Sequence, residues 1–202
     1  DSTGVLAVWD GEPAVKPDLA FADPRLEALG WRILVPEDLK QKVADLIGAD
    51  LVDVDAYEAH RIASGVPRGG LDFMYSDAFP HETNMDRLHG VDFDVNEGEV
   101  VTLLCYVGQE VVSRMQHRGT ARTRIVRVTL EDFSPETGVS VLGGDKQVGT
   151  MGSTASGHGL ALLRIDRVAD ALDAGLPLTA GGLAIRLTDP NDVRTPPKQT
   201  VA

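Results

Sequence analysis

The chain has 202 residues, 43% hydrophobic and 25% charged, which places it in the globular range with room for one or two domains. Its longest nearly unbroken apolar run, Val100 to Val107, is far short of the roughly 20 residues that span a bilayer, and no charged-then-apolar leader opens it, so a soluble, unexported protein with no membrane partner is expected. A net charge of −12 argues against nonspecific adhesion to nucleic acid, and Cys105 as the one cysteine excludes an intrachain disulfide and a cysteine-built zinc or iron–sulfur site; a reducing cytoplasm is the expected compartment.

The chain opens on Val5-Leu6-Ala7-Val8-Trp9, a strand already inside a domain, which reads as the start of a fragment. A loop with Pro13, Pro17 and Pro24 leads to a second strand, Trp31 to Val35, ended by Pro36. Pro36, Glu37 and Asp38 suit a helix start, Leu39, Val43, Leu46 and Ile47 share one face, and Gly48 supplies the stop. Asp53 is placed to cap a second helix through Tyr57, Arg61 and Ile62, closed by Gly65 and Pro67. Pro80-His81-Glu82 then opens a short helix-like stretch through Leu88. Glu99 to Val107 reads as a buried strand, followed by a helical turn from Gln109 to His117.

Beyond Gly119 the character changes. Thr120 to Leu130 alternates as a strand, Val139 to Leu142 and Gln147 to Met151 flank the turn Gly143-Gly144-Asp145-Lys146, and Leu160 to Ile165 and Leu183 to Leu187 supply two more strands. Short strands at this spacing predict a small antiparallel barrel. The fold class is therefore α+β, with an α+β region over residues 1–118 and a barrel domain over 119–202.

The segment Val111 to Leu130 holds Arg114, Arg118, Arg122, Arg124 and Arg127 without a single acid, inside an acidic chain. Period-two alternation puts Arg122 and Arg124 on one face, where they would hold a carboxylate or phosphate by bidentate hydrogen bonds; a glutamate-tailed or phosphorylated ligand fits. The competing reading pairs these arginines with acids elsewhere in the fold. Cys105 lies in an apolar strand, where a cysteine serves as a small hydrophobe, yet the arginines just beyond it favour a thiolate. The histidines show no metal-ligand spacing, so no metal site is expected. Gly149 to Gly159 lacks the ending of a phosphate loop and reads as a barrel turn, and no nucleophile elbow is present.

Cys105-Tyr106-Val107-Gly108-Gln109-Glu110 resembles the core of the YgfZ signature, Lys-Gly-Cys-Tyr-x-Gly-Gln-Glu, and Val111 to Arg122 resembles the segment directly C-terminal to that signature in the family. Pro80-His81-Glu82 is similar to the family's Pro-x-Glu, and Gly159 to Arg164 to one of its barrel strands. Leu103 and Leu104 stand where the family has Lys-Gly, and the family's N-terminal region has no counterpart before Asp1. The resemblance implies an aminomethyltransferase-like fold, a ferredoxin-like α/β region followed by a β-barrel, with tetrahydrofolate or a derivative in a central channel. It also implies a role in making or repairing iron–sulfur enzymes, including ones that modify tRNA, with iron–sulfur client or assembly proteins as partners.

Carried over by residue, Cys105 is the functional thiol and Tyr106, Gly108, Gln109 and Glu110 shape its surroundings. Glu82 is the candidate for the pterin, since a carboxylate accepts from a ring N–H and an exocyclic amine together. Two alternatives stay open: a folate-dependent aminomethyl or methyl transferase, which needs an acid or base near the folate nitrogen, and an interaction module that docks an acidic partner on Arg122 and Arg124.

Overall fold

The computed structural model describes residues 2–75, 77–88, 90, 122–131 and 133–193. The strand expected over Glu99 to Val107 and the turn from Gln109 to His117 lie outside them.

The first layer is a three-stranded antiparallel sheet in the order β1-β3-β2, built from β1 (Thr3–Val8), β2 (Ala20–Ala22) and β3 (Trp31–Pro36). Period-two alternation sends Leu6, Ile33 and Val35 to one face, where they bury against Ile47 of α1 (Lys40–Ile47). The helix predicted from Pro36 begins as a 3-10 turn, Glu37–Leu39, before α1 proper. Gly48 ends it in the left-handed region, φ 75°, where its N–H reaches the carbonyls of Ala44 and Asp45. In α2 (Val54–Ala63) the Asp53 carboxylate caps the first turn, accepting the Ala56 N–H at 3.0 Å.

The stretch from Pro80 to Leu88 is a chain of turns and not the expected helix. Its polar groups are spent on the barrel. The Glu82 carbonyl accepts the Ile125 N–H at 2.8 Å, the Asn84 side-chain amide donates to the Ile125 carbonyl at 2.9 Å, and Asn84 sits at φ 62°, which no right-handed helix accommodates.

The barrel comprises β4 (Thr123–Leu130), β5 (Ser140–Gly143), β6 (Lys146–Ala155), β7 (His158–Arg164), β8 (Leu178–Ala180) and β9 (Leu183–Leu187), closed in the order β4-β7-β6-β5-β8-β9. This is the small antiparallel barrel that the strand spacing predicts. Val126, Val128 and Leu130 of β4 point inward with Val141, Val148, Met151, Leu163 and Ile185. Ile125 points outward, and with Leu160 it buries Ile62 of α2, so the front region docks on the outer wall of β4 and β7.

Two expectations for the barrel are corrected. Gly149 to Gly159 is mostly the long strand β6, and only Ser156-Gly157 makes the turn, with φ of 48° and 77°. The strand ending near Ile165 passes directly into a helix the sequence did not reveal, α3 (Ile165–Asp173), whose Val168 and Ala171 face the core. No side chain caps its start, so the usual N-terminal signal is missing.

Candidate functional site

The segment Phe79 to Asp86, clamped across the head of β4, brings together Glu82, His81 and Arg124. Arg124 shares the inward parity of Val126 and reaches Asp86 through a two-toothed ion pair, Nη1 to Oδ1 at 3.0 Å and Nη2 to Oδ2 at 2.8 Å, with a third bond from Nη1 to Asn84 Oδ1 at 3.3 Å. Its side chain is only 12% exposed. Arg122 lies one residue ahead of β4, exposed, with its carbonyl accepting the Ile165 N–H at 2.9 Å. The expectation that Arg122 and Arg124 jointly clamp an anion is corrected, because Asp86 already takes the Arg124 guanidinium. Arg127 points to the opposite face and donates to the Ala63 carbonyl at 3.3 Å.

The Glu82 carboxylate is oriented by the Phe79 N–H, which donates to Oε2 at 2.9 Å. Phe79 is exposed, and its ring stacks on His81 with centroids 5.7 Å apart and planes 9° from parallel. His81 is buried, and its Nδ1 is the one buried side-chain atom without a hydrogen-bond partner among the described residues. Burial pushes its pKa down, against the opposing charge of Glu82; Arg124 pushes it further down and Asp86 opposes. A fixed carboxylate beside an open aromatic face and a neutral imidazole suits a planar heterocycle that presents adjacent N–H donors. Cys105, Tyr106, Gln109 and Glu110, with Arg114 and Arg118, lie outside the described residues.

Two polar networks escaped the sequence reading. In the first, Arg61 is nearly fully buried and bonds Glu58 (2.6 and 2.9 Å), Asp72 (3.0 Å), Ser153 Oγ (3.0 Å) and the Val66 carbonyl (3.1 Å). Asp72 in turn accepts the Ser153 N–H at 2.7 Å, the Ser153 hydroxyl and the Arg68 N–H at 2.7 Å. Gly152 makes this contact with β6 feasible, since a Cβ there would lie 2.5 Å from Asp72 Oδ1. In the second, Asp23 accepts from Arg25 (2.7 and 3.0 Å) and Arg32 (2.8 Å), and both arginines donate to the Tyr57 hydroxyl. Burial works to raise the Asp23 carboxyl, but those hydrogen bonds outweigh it and hold the carboxyl down at about 2. The donors and acceptors in both networks are matched, so they join pieces of backbone and leave the reactive geometry to the Glu82 region. Among the described residues no three His, Cys, Asp or Glu side chains gather as a metal site, and no helix is long and apolar enough to cross a membrane.

Residues 122–195 match the family model of the CAF17 C-terminal beta-barrel domain. The chain is 38% identical over 126 residues to the iron-sulfur cluster assembly factor IBA57 homolog, mitochondrial, of Mycosarcoma maydis, an alignment covering 60% of this chain and 28% of that protein. It is 35% identical over 157 residues to mitochondrial IBA57 of Mus musculus and 32% identical over 155 residues to that of Homo sapiens, each time across 74% of this chain and 40% of the relative. The chain thus spans less than half the length of these relatives. Their names overturn the cytoplasmic expectation, since each is called mitochondrial. A lone cysteine reports only a chain that needs no disulfide, which any thiol-reducing compartment satisfies. Residues 122–195 are thus similar to the CAF17 C-terminal beta-barrel domain, and the greater part of the chain is similar to iron–sulfur cluster assembly factors of the IBA57 type.

Proposed function

We propose that the chain works as a YgfZ-like, tetrahydrofolate-binding factor that assists the maturation or repair of iron–sulfur enzymes, tRNA-modifying ones among them. The observation that carries the maturation role is the 35% identity to a mitochondrial iron–sulfur cluster assembly factor across 74% of the chain. The folate half is supported by the Phe79, His81 and Glu82 arrangement. A pterin presents a ring N–H beside an exocyclic amine, and the Glu82 carboxylate, held by the Phe79 amide, accepts such a pair while the exposed Phe79 ring offers a stacking face. Arg122, exposed at the head of β4, is the residue for an acidic tail, and Arg124 positions Asp86 and Asn84 around it.

Tetrahydrofolate, when bound, supplies a one-carbon carrier. Cys105, flanked by Tyr106, Gln109 and Glu110, engages the sulfur or cluster of the client protein. The test is the activity of an iron–sulfur enzyme in cells that depend on this gene. Cys105→Ala is expected to abolish that activity at unchanged protein level and Glu82→Gln to reduce it. Full activity with Cys105→Ala would contradict the maturation reading.

A further inference from the structure

Among the described residues, β1 is an open edge of its sheet. The Glu37 N–H donates to the Ser2 carbonyl at 3.1 Å, so the bonded pairs of the β1–β3 ladder fall on Ser2, Gly4, Leu6 and Val8. The N–H and C=O groups of Thr3, Val5 and Ala7 therefore point away from β3. Natural edges are blunted by charge, proline or a bulge. The sequence of β1, Thr-Gly-Val-Leu-Ala-Val, has neither charge nor proline, and its register with β3 runs unbroken from Thr3 to Val8.

This edge borders a cleft of about 670 Å3 whose lining includes Val5 to Trp9 and residues 48–54. Val5, Leu51, Val52 and Val54 give it exposed apolar surface. Its charge is acidic. Asp10, Glu12, Asp50 and Asp53 line it, while its two cations, Arg32 and Lys40, are committed to Asp23 at 2.8 Å and Glu37 at 2.6 Å.

We propose that β1 is a docking edge that takes an extended segment in which apolar side chains alternate with lysine or arginine. Main-chain hydrogen bonds to Val5 and Ala7 give such a segment its hold, and residues 50–54 set the apolar Leu51, Val52 and Val54 beside the acids Asp50 and Asp53, which suits a segment carrying both apolar and cationic side chains. A second copy of this chain is a poorer occupant, because it brings the same acidic lining to the contact.

The experiment titrates a short synthetic peptide of alternating valine and lysine into the full chain, with a valine and glutamate peptide as control, and reads amide hydrogen exchange at Val5 and Ala7. The lysine peptide is expected to bind saturably and slow both amides by about tenfold or more, and the glutamate peptide to do neither. Val5→Pro removes one edge N–H while leaving the ladder bonds of Gly4 and Leu6, and is expected to weaken binding about tenfold. Asp50→Lys, an exposed loop change that spares the sheet, is expected to weaken the lysine peptide severalfold. Equal binding of the two peptides, indifference to Asp50→Lys, or no slowing at Val5 and Ala7 overturns the proposal. Concentration-dependent slowing in the chain alone overturns it too, in favour of a second copy.

Discussion

Every strand of the barrel is hydrogen-bonded on both sides, whereas the sheet ahead of it ends in open edges at β1 and β2 among the described residues. The two regions are stabilised differently as a result. The barrel encloses one continuous apolar core, from Val126 and Leu163 to Ile185. The front sheet buries only Leu6, Ile33, Val35 and Ile47 in its own cluster, and adds the Asp23 network and the Arg61 network. Closure lets apolar burial alone specify a fold; a small open sheet relies on ion pairs and on docking to a neighbour. Charge and pH should therefore act more strongly on the front region than on the barrel, whose ion pairs Arg164–Asp166 and Arg186–Glu131 lie at the surface.

The largest expected effect comes from breaking the link between the two. Arg61→Leu leaves Asp72 and Glu58 without their buried cation and should cost about 3–5 kcal/mol, read as separate unfolding of the front region by hydrogen exchange while β4 to β9 stay protected. A single cooperative loss of both regions would show that the contrast is wrong.

Acid should act next. Asp23 titrates at about 2 when folded, below its ordinary 3.8, so its stabilisation is fully present above about pH 4 and is lost as pH falls toward 2. The shift corresponds to about 2 kcal/mol. Denaturant unfolding of the front region followed between pH 5 and pH 2 should show this loss, and Asp23→Asn should remove the Asp23 share of the pH dependence along with the stability. The share of Glu58 would remain, since burial works to raise that carboxyl but Arg61 and Arg68 outweigh it and hold it below its ordinary value. The smallest effect belongs to the α2 cap, where Asp53→Ala should cost about 1 kcal/mol in the same measurement.

The same contrast decides what could be read from the residues. Short-range signals were legible: Asp53 as a cap, Gly48 as a stop, and the barrel from its regularly spaced strands. What failed depends on partners far away in the chain. Asn84 abandons a helix for Ile125, 41 positions on, and Asp72 meets Ser153 across 81 positions. Arg124 looked free beside its sequence neighbours, but the chain returns Asp86, 38 positions earlier, to its guanidinium. Helix α3 stayed hidden because Ile165 continues the apolar pattern of β7 and nothing caps its start. At the candidate site, Glu82 was legible by resemblance alone, while the stacking of Phe79 on His81 and the orphaned imidazole nitrogen needed the three-dimensional fold.

A folate site built around Glu82 should be visible in a calorimetric titration of 5-formyltetrahydrofolate into the chain and into its Glu82→Gln variant. Binding is expected to be saturable and to weaken about tenfold or more in the variant. Binding that is indifferent to Glu82→Gln, or no saturable binding to the chain, would contradict it.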